Sequence, residues 1–333
     1  MVKRLISANY SEIKDMSAQE LKQSIKASEG RVIVCETVVQ TMPQAGDITN
    51  AEVAAAFGAD LILLNGFDCY RPAIFGMPGI TLEQLLDPTQ PIKNPIPQLK
   101  QLIGRPVGIN LEPIPATTEM MSEKISISQG RTSSVDTIKK AQELGVDFLC
   151  FTGNPGTGVT NREIAKAVKL AKEHFSGLII AGKMHSAGSD EPVVDREVII
   201  SYAEAGADIL LLPSVGSIQG FLEKDLIEAV QIAKQYDLLT MSAIGTSQES
   251  ARPETLRQLA IINKTCGVDL QHIGDAGYGG MHRPKIFSKH RLQLEACAIR
   301  SIVSGVQSTV KSEKITSEGK RRIVLLRFLH FFR

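Results

Sequence analysis

Short apolar runs alternate along this chain with longer stretches in which apolar and charged residues are mixed. Four of these runs follow the same signal, a Gly, then Ala or Val, then Asp, at 58–60, 145–147, 206–208 and 267–269. The last three Asp residues stand 61 positions apart, a length that holds two strand-plus-helix units. The pattern therefore predicts a repeating βα architecture in which the signal marks every second strand.

Eight apolar runs can be counted once the unmarked strands are added. They lie at 31–36, 61–65, 106–112, 148–152, 178–183, 209–213, 239–243 and 270–274. Most are near-continuous runs of Ile, Leu and Val without strict alternation, which is typical of parallel strands covered on both faces. Eight such strands, each followed by a helix, predict an α/β fold of the TIM (β/α)8 barrel type.

The stretches between the strands have the period of an amphipathic helix. At 161–175, Ile164 and Val168 fall on one face, whereas Lys166 and Lys169 fall on the other. Similar patterns predict helices at 50–57, 96–103, 134–144, 195–205, 223–236 and 254–266. In the repeated signal, Gly is expected to end a helix and Asp to begin the next strand at the lower rim, so we interpret these Asp residues as structural.

Both ends of the chain extend beyond the repeating pattern. Ser17 and Glu20 have the spacing of a capping box, and the helix that they open is expected to cover the barrel floor as an N-terminal cap. We expect one barrel domain over residues 1–310 and a C-terminal helical extension, with a flexible tail or interface arm over 311–333. The final stretch, 320–333, mixes Phe and Leu with Arg. Three interpretations fit this composition: a docking segment, a membrane-surface segment and an altered reading frame.

Bulk properties indicate a soluble cytoplasmic enzyme. The 333 residues carry a formal charge of +1, which gives no field for nucleic acid, and the five cysteines form no CxxC pair. We expect no membrane span, because no run approaches the roughly 18 apolar residues that one requires. No nucleotide cofactor is indicated, since the glycine-rich loop after strand four lacks the Gly-Lys-Ser/Thr of a P-loop. Assembly into a homo-oligomer is compatible with these properties.

Candidate chemistry lies at the carboxyl ends of the strands, where TIM barrels hold their catalytic groups. We expect catalytic roles for Glu36, Glu112, Lys183, His185 and Asp275. The rest of the polar ring consists of Asn65, Asp68, Asn110, Thr152, Asn154, Ser214 and His272. Part of this ring is also explained by strand ends meeting solvent. The long segment 112–134 is a candidate mobile lid.

Lys183 directly follows predicted strand five, so we expect its ammonium to project into the barrel mouth, where burial would lower its pKa. Such a lysine can form a Schiff base, act as an acid or base, hold a phosphate or carboxylate, or form an ordinary salt bridge. His185 is either a proton shuttle or a loop histidine bonded to backbone.

Two glycine-rich loops occupy the usual phosphate position of a TIM barrel, after strands seven and eight. The candidate phosphate-binding residues are Gly245, Thr246, Ser247, Gly274, Gly277 and Gly279. A small phosphorylated metabolite is therefore the expected partner. Glu36, Asp68, Glu112 and Asp275 could also converge on Mg²⁺, which prefers carboxylates and retained water; the same groups could instead pair with Lys183 or act as general bases.

The segment 35–68 resembles the opening of the phosphoenolpyruvate mutase and isocitrate lyase barrels. The resemblance is carried by Gly-Asp-Ile-Thr-Asn at 46–50, Ala-Ala-Ala-Phe-Gly-Ala-Asp at 54–60 and Leu-Leu-Asn-Gly-Phe at 63–67. The chain looks closest to an uncharacterised bacterial barrel family often labelled phosphoenolpyruvate phosphonomutase-like, over most of residues 17–308. The resemblance implies Mg²⁺ and a phosphorylated or 2-oxo acid ligand.

The sequence departs from the motifs of that superfamily at two places, which limits how much of the superfamily's chemistry the resemblance implies for this chain. Strand three ends in Asn110-Leu111-Glu112 where the superfamily has an Asp-rich end, and the loop at 182–188 lacks the cysteine of its Lys-Lys-Cys-Gly-His motif. The resemblance therefore does not extend to P–C bond chemistry.

Our main hypothesis is a barrel enzyme of lyase, aldolase or isomerase type that acts on a phosphorylated carbonyl or hydroxy compound, with Lys183 central. One alternative is a Mg²⁺-dependent enzyme of the phosphoenolpyruvate mutase or isocitrate lyase type. Another is a non-catalytic sensor or scaffold that binds a sugar phosphate.

Overall fold

Eight parallel strands close into a barrel in the chain order β1 to β8, with β8 paired to β1. The computed structural model describes residues 2–281 apart from 47, 118, 119, 122, 246, 247, 249, 250 and 276–278. The strands are β1 Val32–Val38, β2 Leu61–Asn65, β3 Val107–Leu111, β4 Phe148–Phe151, β5 Leu178–Gly182, β6 Ile209–Pro213, β7 Leu239–Ile244 and β8 Leu270–Ile273. The predicted TIM barrel is confirmed, whereas the C-terminal extension and the tail at 311–333 lie outside the described residues.

Helices follow the strands at the positions that the amphipathic patterns predict. They are α1 Tyr10–Ile13, α2 Ala18–Lys26, α3 Asn50–Ala56, α4 Leu82–Leu86, α5 Ile96–Ile103, α6 Val135–Leu144, α7 Asn161–His174, α8 Arg196–Ala205, α9 Glu223–Gln235 and α10 Pro253–Thr265. The short helices α1 and α4 were not predicted. None of the helices in the described part of the chain is long and apolar enough to cross a membrane.

The two faces of each strand bury into different clusters. Inward side chains such as Val34 and Ile180 form the barrel interior, and outward ones such as Ile33 and Ile179 pack against the helices. This alternation decides which strand-end residues face the barrel mouth, because successive side chains of a strand point to opposite faces.

The N-terminal segment closes the lower end of the barrel. Leu5, Ile6, Leu21 and Ile25 belong to the same buried cluster as the inward side chains of the strands. Helix α2 begins with the predicted capping box, in which the Ser17 side chain accepts from the Glu20 N–H. The expected N-terminal cap beneath the barrel is confirmed.

The four repeated Asp residues tie neighbouring strands together at the lower rim. The Asp208 carboxylate accepts from the Ile179 N–H at 3.0 Å, and the Asp208 N–H donates to the Ile179 carbonyl at 2.8 Å. The same reciprocal pair of bonds joins Asp60 to Ile33, Asp147 to Val107 and Asp269 to Thr240. Each Asp therefore holds the odd-numbered strand beside its own, as a structural role predicts.

Candidate active site

One side of the barrel mouth is polar and the other is not. The inward positions at the upper ends of β8 and β1 to β4 are His272, Glu36, Asn65, Asn110, Glu112 and Thr152, all buried. We call these six residues the polar arc. Across the mouth, the inward positions of β5, β6 and β7 are Gly182, Pro213 and Ala243, which we call the small arc.

Gly182 shows why the small arc has no long side chain at β5. Its φ is +148°, and a Cβ at this position would lie 2.1 Å from the Leu211 carbonyl oxygen of the adjacent strand β6. Real Cβ atoms do not approach a backbone oxygen so closely, so any larger residue would push the two strands apart. The small arc is therefore required by strand packing at this position.

Glu36 joins two other members of the polar arc. Its Oε1 accepts from Asn110 Nδ2 at 2.6 Å, and its Oε2 lies 3.2 Å from His272 Nε2. Burial and the Glu36 charge together raise the pKa of the Cys150 thiol, which faces the same interior. A histidine beside a carboxylate that is itself fixed by an amide is an arrangement used for general acid–base catalysis.

A second network runs across the polar arc above Glu36. Asn65 Nδ2 donates to Asp275 Oδ2 at 2.8 Å, and Asn65 exchanges two side-chain hydrogen bonds with Asn154, at 3.1 and 3.0 Å. The Asn154 N–H donates to Glu112 Oε2 at 3.0 Å, and Arg131 Nη2 donates to Glu112 Oε1 at 2.5 Å. Residues from strand β2 and from the connections after β3, β4 and β8 are thus held in one mouth.

Several buried polar atoms of the arc have no hydrogen-bond partner within the part of the chain that the structure describes. They are Asn110 Oδ1, Thr152 Oγ1, His272 Nδ1 and His272 Nε2. The three residues are 3%, 2% and 0% exposed, respectively. A buried polar atom left unpaired costs about 1–3 kcal/mol, so such atoms are rare unless they serve a ligand, a water or the reaction itself.

Lys183 does not enter the mouth. Leu178 and Ile180 point inward, so Lys183 falls on the outward face of β5, and the next residue, Met184, packs against the inner cluster instead. The Lys183 Nζ donates to Glu191 Oε1 at 2.5 Å and to Ser189 Oγ at 3.3 Å. The expectation that this ammonium projects into the mouth is therefore wrong.

The Lys183 partners belong to the layer outside the barrel. Glu191 Oε1 also accepts from the N–H of Asn161, the first residue of α7. Burial lowers the pKa of Lys183, and the ion pair with Glu191 offsets part of that effect. The geometry matches the salt-bridge alternative, and a catalytic role for Lys183 stays a prediction that this position does not favour.

His185 is engaged by its own loop. Its Nδ1 accepts from the Ala187 N–H at 3.0 Å, which matches the alternative of a loop histidine bonded to backbone. Burial, aided by the Lys183 charge, lowers the pKa of His185 to about 4. The side chain is therefore neutral at pH 7, and its role as a proton shuttle stays an untested prediction.

Two other predicted ring residues also serve local contacts. Asp68 Oδ1 accepts from the N–H groups of Tyr70 and Arg71, at 2.8 and 3.1 Å. Ser214 Oγ donates to Asn263 Oδ1 at 3.1 Å on the outward side of β6. Neither side chain joins the polar arc.

Half of the predicted phosphate-binding residues can be placed. The Gly274 N–H already donates to the Ile244 carbonyl at 3.2 Å, Gly245 is buried at the end of β7, and Gly279 is exposed. Thr246, Ser247 and Gly277 lie outside the described residues. Phosphate binding by these loops stays a prediction.

The four predicted metal ligands do not come together. Asp68 serves its own loop, and both Glu112 oxygens are taken by Arg131 and Asn154. Across the described ranges, no three His, Cys, Asp or Glu side chains form a group that could hold a metal ion. The proposed carboxylate cage for Mg²⁺ therefore does not fit the described residues.

Two described residues of the segment 112–134 bond to neighbouring loops. The Met121 N–H donates to the Gly188 carbonyl at 3.0 Å, and the Ile125 N–H donates to the Gly156 carbonyl at 2.8 Å. These bonds join the segment to the loops after β5 and β4. Its mobility stays a prediction.

Sequence reasoning missed Arg131 and Glu191, the partners of Glu112 and Lys183. Arg131 lies 19 positions after Glu112, and no local pattern connects them. Successive side chains of β5 point alternately inward and outward. The orientation of Lys183 could therefore have been predicted only if the inward face of β5 had been known.

Comparison with known families gives one match across most of the chain. The model described as "Domain of unknown function (DUF7916)" matches residues 6–290. The chain belongs to the DUF7916 family. Comparison with curated proteins gives no match.

Solved structures similar to this DUF7916 member include several barrel enzymes. A phosphoenolpyruvate phosphomutase from Streptomyces platensis subsp. rosaceus is 14% identical, with 95% of this chain and 97% of that chain covered and a TM-score of 0.46. An archaeal fructose-1,6-bisphosphate aldolase is 16% identical (84% and 96% covered, TM-score 0.47). A putative lyase/mutase from Burkholderia cenocepacia J2315 is 15% identical (77% and 82% covered, TM-score 0.45). At this level of similarity the likeness leaves the reaction of the DUF7916 chain open.

Proposed function

We propose that this DUF7916 protein is an enzyme of lyase, aldolase or isomerase type that binds a small phosphorylated carbonyl or hydroxy compound in the barrel mouth. The observation that carries the proposal is a set of buried polar atoms on Asn110, Thr152 and His272, next to Glu36, that have no hydrogen-bond partner among the residues that the structure describes. A structural core satisfies such atoms, whereas a binding site keeps them for its ligand.

His272 is the acid–base group in this proposal. Its Nε2 lies 3.2 Å from Glu36 Oε2, and its buried Nδ1 has no hydrogen-bond partner among the described residues, so Nδ1 would be the atom that exchanges a proton with the substrate. It would take a proton from a substrate hydroxyl, or from the carbon next to a carbonyl, and return it when the rearranged or cleaved product forms. Glu36, fixed by the Asn110 amide, stabilises the imidazolium between these steps.

Thr152 and Asn110 would orient the substrate. The Thr152 hydroxyl can donate to a carbonyl oxygen on which negative charge develops, and Asn110 Oδ1 can accept from a substrate hydroxyl. The phosphate would lie toward the loops after β7 and β8, where barrel enzymes commonly hold it.

The test combines ligand screening with turnover measurements on the full chain. A thermal-shift screen of small phosphorylated aldehydes, ketones and hydroxy compounds should find a stabilising ligand, and NMR of the same mixture should show its conversion. The His272→Asn variant should keep the fold and lose about 10²–10⁴-fold in turnover. The absence of stabilisation by any phosphorylated compound would contradict the proposal.

The same experiment separates the two alternatives. Stabilisation without any turnover would identify a sugar-phosphate sensor or scaffold. Turnover that is lost in EDTA and restored by Mg²⁺ would favour the metal-dependent route that the sequence resemblance implies. Turnover that persists in EDTA would favour the route through His272 and Glu36.

A further inference from the structure

We infer that the reacting end of the substrate is a neutral hydroxy-carbonyl group and not a carboxylate. This inference rests on the proposed function and narrows its substrate class. It separates the protein from enzymes that hold a 2-oxo acid in the barrel mouth, a ligand that the sequence resemblance implies.

Buried negative charge around the barrel mouth disfavours a substrate carboxylate. Glu36 and Glu112 are 4% and 1% exposed, so two carboxylates lie buried at this opening. Among the described residues of the mouth, Arg131 is the cation, and it already donates to Glu112. A substrate carboxylate placed against His272 would therefore meet the buried Glu36 carboxylate, and two like charges in a buried site repel strongly.

The unpartnered atoms of the polar arc carry the second step. Asn110 offers an oxygen acceptor because its amide N–H₂ group is directed at Glu36, and Thr152 offers a hydroxyl that donates or accepts. His272 offers Nδ1, while its Nε2 lies beside Glu36. Hydroxyl and carbonyl groups satisfy this mixed set, whereas a carboxylate, which only accepts, cannot satisfy Asn110 Oδ1.

The small arc and the floor carry the third step. Gly182, Pro213 and Ala243 bring no side-chain donor to the opposite wall, and the inward residues beneath, such as Ile180 and Leu211, are apolar. The described walls would thus contact one polar edge of a ligand and leave its other edge against apolar groups. A compact carbon chain with hydroxyl and carbonyl groups on one edge fits this asymmetry.

A matched pair of ligands tests the inference. Glyceraldehyde 3-phosphate and 3-phosphoglycerate share the carbon chain, the hydroxyl and the phosphate, and they differ in the aldehyde and carboxylate. We expect isothermal titration of the full chain to show the aldehyde binding at least about tenfold more tightly, since a like-charge contact in an interface is costly. Equal affinity, or tighter binding of the acid, would overturn the inference and leave the proposed function standing.

Two variants test whether the negative charge of Glu36 causes the difference in affinity between the aldehyde and the acid. Glu36→Gln removes the negative charge that faces the ligand, so the acid should gain affinity relative to the aldehyde. Glu143→Gln is the control, because that side chain is 66% exposed and pairs with Lys140 on α6; its preference should equal that of the unaltered protein. If neither compound binds and no phosphorylated compound of the thermal-shift screen binds either, the proposed function fails together with the inference.

Discussion

Replacing Thr152 by valine should affect stability and ligand binding in opposite directions. The Thr152 hydroxyl is buried and has no hydrogen-bond partner among the described residues. Valine has nearly the same shape, and it exchanges the hydroxyl for a methyl group. In the ligand-free protein the change therefore removes an unpaired polar atom and adds apolar contact.

The expected size follows from these two terms. Relief of the unpaired hydroxyl is worth about 1–3 kcal/mol, and a buried methyl group contributes up to about 0.8 kcal/mol. A water bound in the mouth of the ligand-free protein would bond the hydroxyl and cancel much of the first term, so we expect the variant to be between unchanged and about 2 kcal/mol more stable. Losing one hydrogen bond of about 0.5–1.5 kcal/mol should weaken the ligand by up to about tenfold.

Urea unfolding of the ligand-free protein and titration with the ligand measure the two effects. Thr240→Val is the matched control: Thr240 is also buried, but its hydroxyl donates to Asp269 Oδ2 at 3.0 Å. The control should lose about 1–3 kcal/mol in the free energy of unfolding, because a bonded hydroxyl is removed from a buried pair. If Thr152→Val loses as much as the control, the Thr152 hydroxyl has a structural partner and the binding-site argument is wrong.

Three further predictions concern groups outside the polar arc. Burial raises the pKa of Asp269 above its ordinary value, so the folded protein loses stability as the pH rises through this raised pKa. The Asp269→Asn variant has no such carboxyl, so its free energy of unfolding relative to the unaltered protein should increase between pH 3 and pH 7. A stability difference that does not change with pH would contradict this prediction. Borohydride treatment with the substrate should leave Lys183 without a mass adduct, because its Nζ is buried outside the mouth against Glu191, and a substrate-dependent adduct would restore the Schiff-base hypothesis. Gly130→Ala should lower the unfolding midpoint, because an added Cβ would lie 1.8 Å from Asp68 Oδ1; an unchanged midpoint would contradict the close approach of the two segments.

The fold could be predicted because local signals repeat. The Gly and Asp of each signal have a direct structural counterpart, as in Gly206, which ends α8 with φ +100°, and Asp208, which bonds β5. Eight apolar runs then leave few alternatives for a chain of this length. The apolar residues that mark each strand in the sequence are also the residues that the fold buries, so the sequence locates the strands directly.

The orientation of the strand-end side chains could not be predicted in the same way. Both faces of a parallel barrel strand are apolar, so the sequence of β5 does not show which of Gly182 and Lys183 points inward. The error at Lys183 follows from this ambiguity. Glu36 and His272 were named in the ring, but their proximity depends on the pairing of β1 with β8, the first and last strands.

Pairings between distant residues also lie beyond sequence patterns. Asn65 meets Asp275 across 210 positions, and only closure of the barrel brings them together. Asp68 was grouped with these residues because it too follows a strand, yet its carboxylate turns back to its own loop.

A crystal structure of the complex with dihydroxyacetone phosphate tests the central claim most directly. The account predicts that the ligand occupies the barrel mouth, with its hydroxyl and carbonyl oxygens within about 3.2 Å of polar atoms of Thr152, Asn110 or His272. Ligand density away from the polar arc, or a covalent bond between the ligand and Lys183 Nζ, would contradict it.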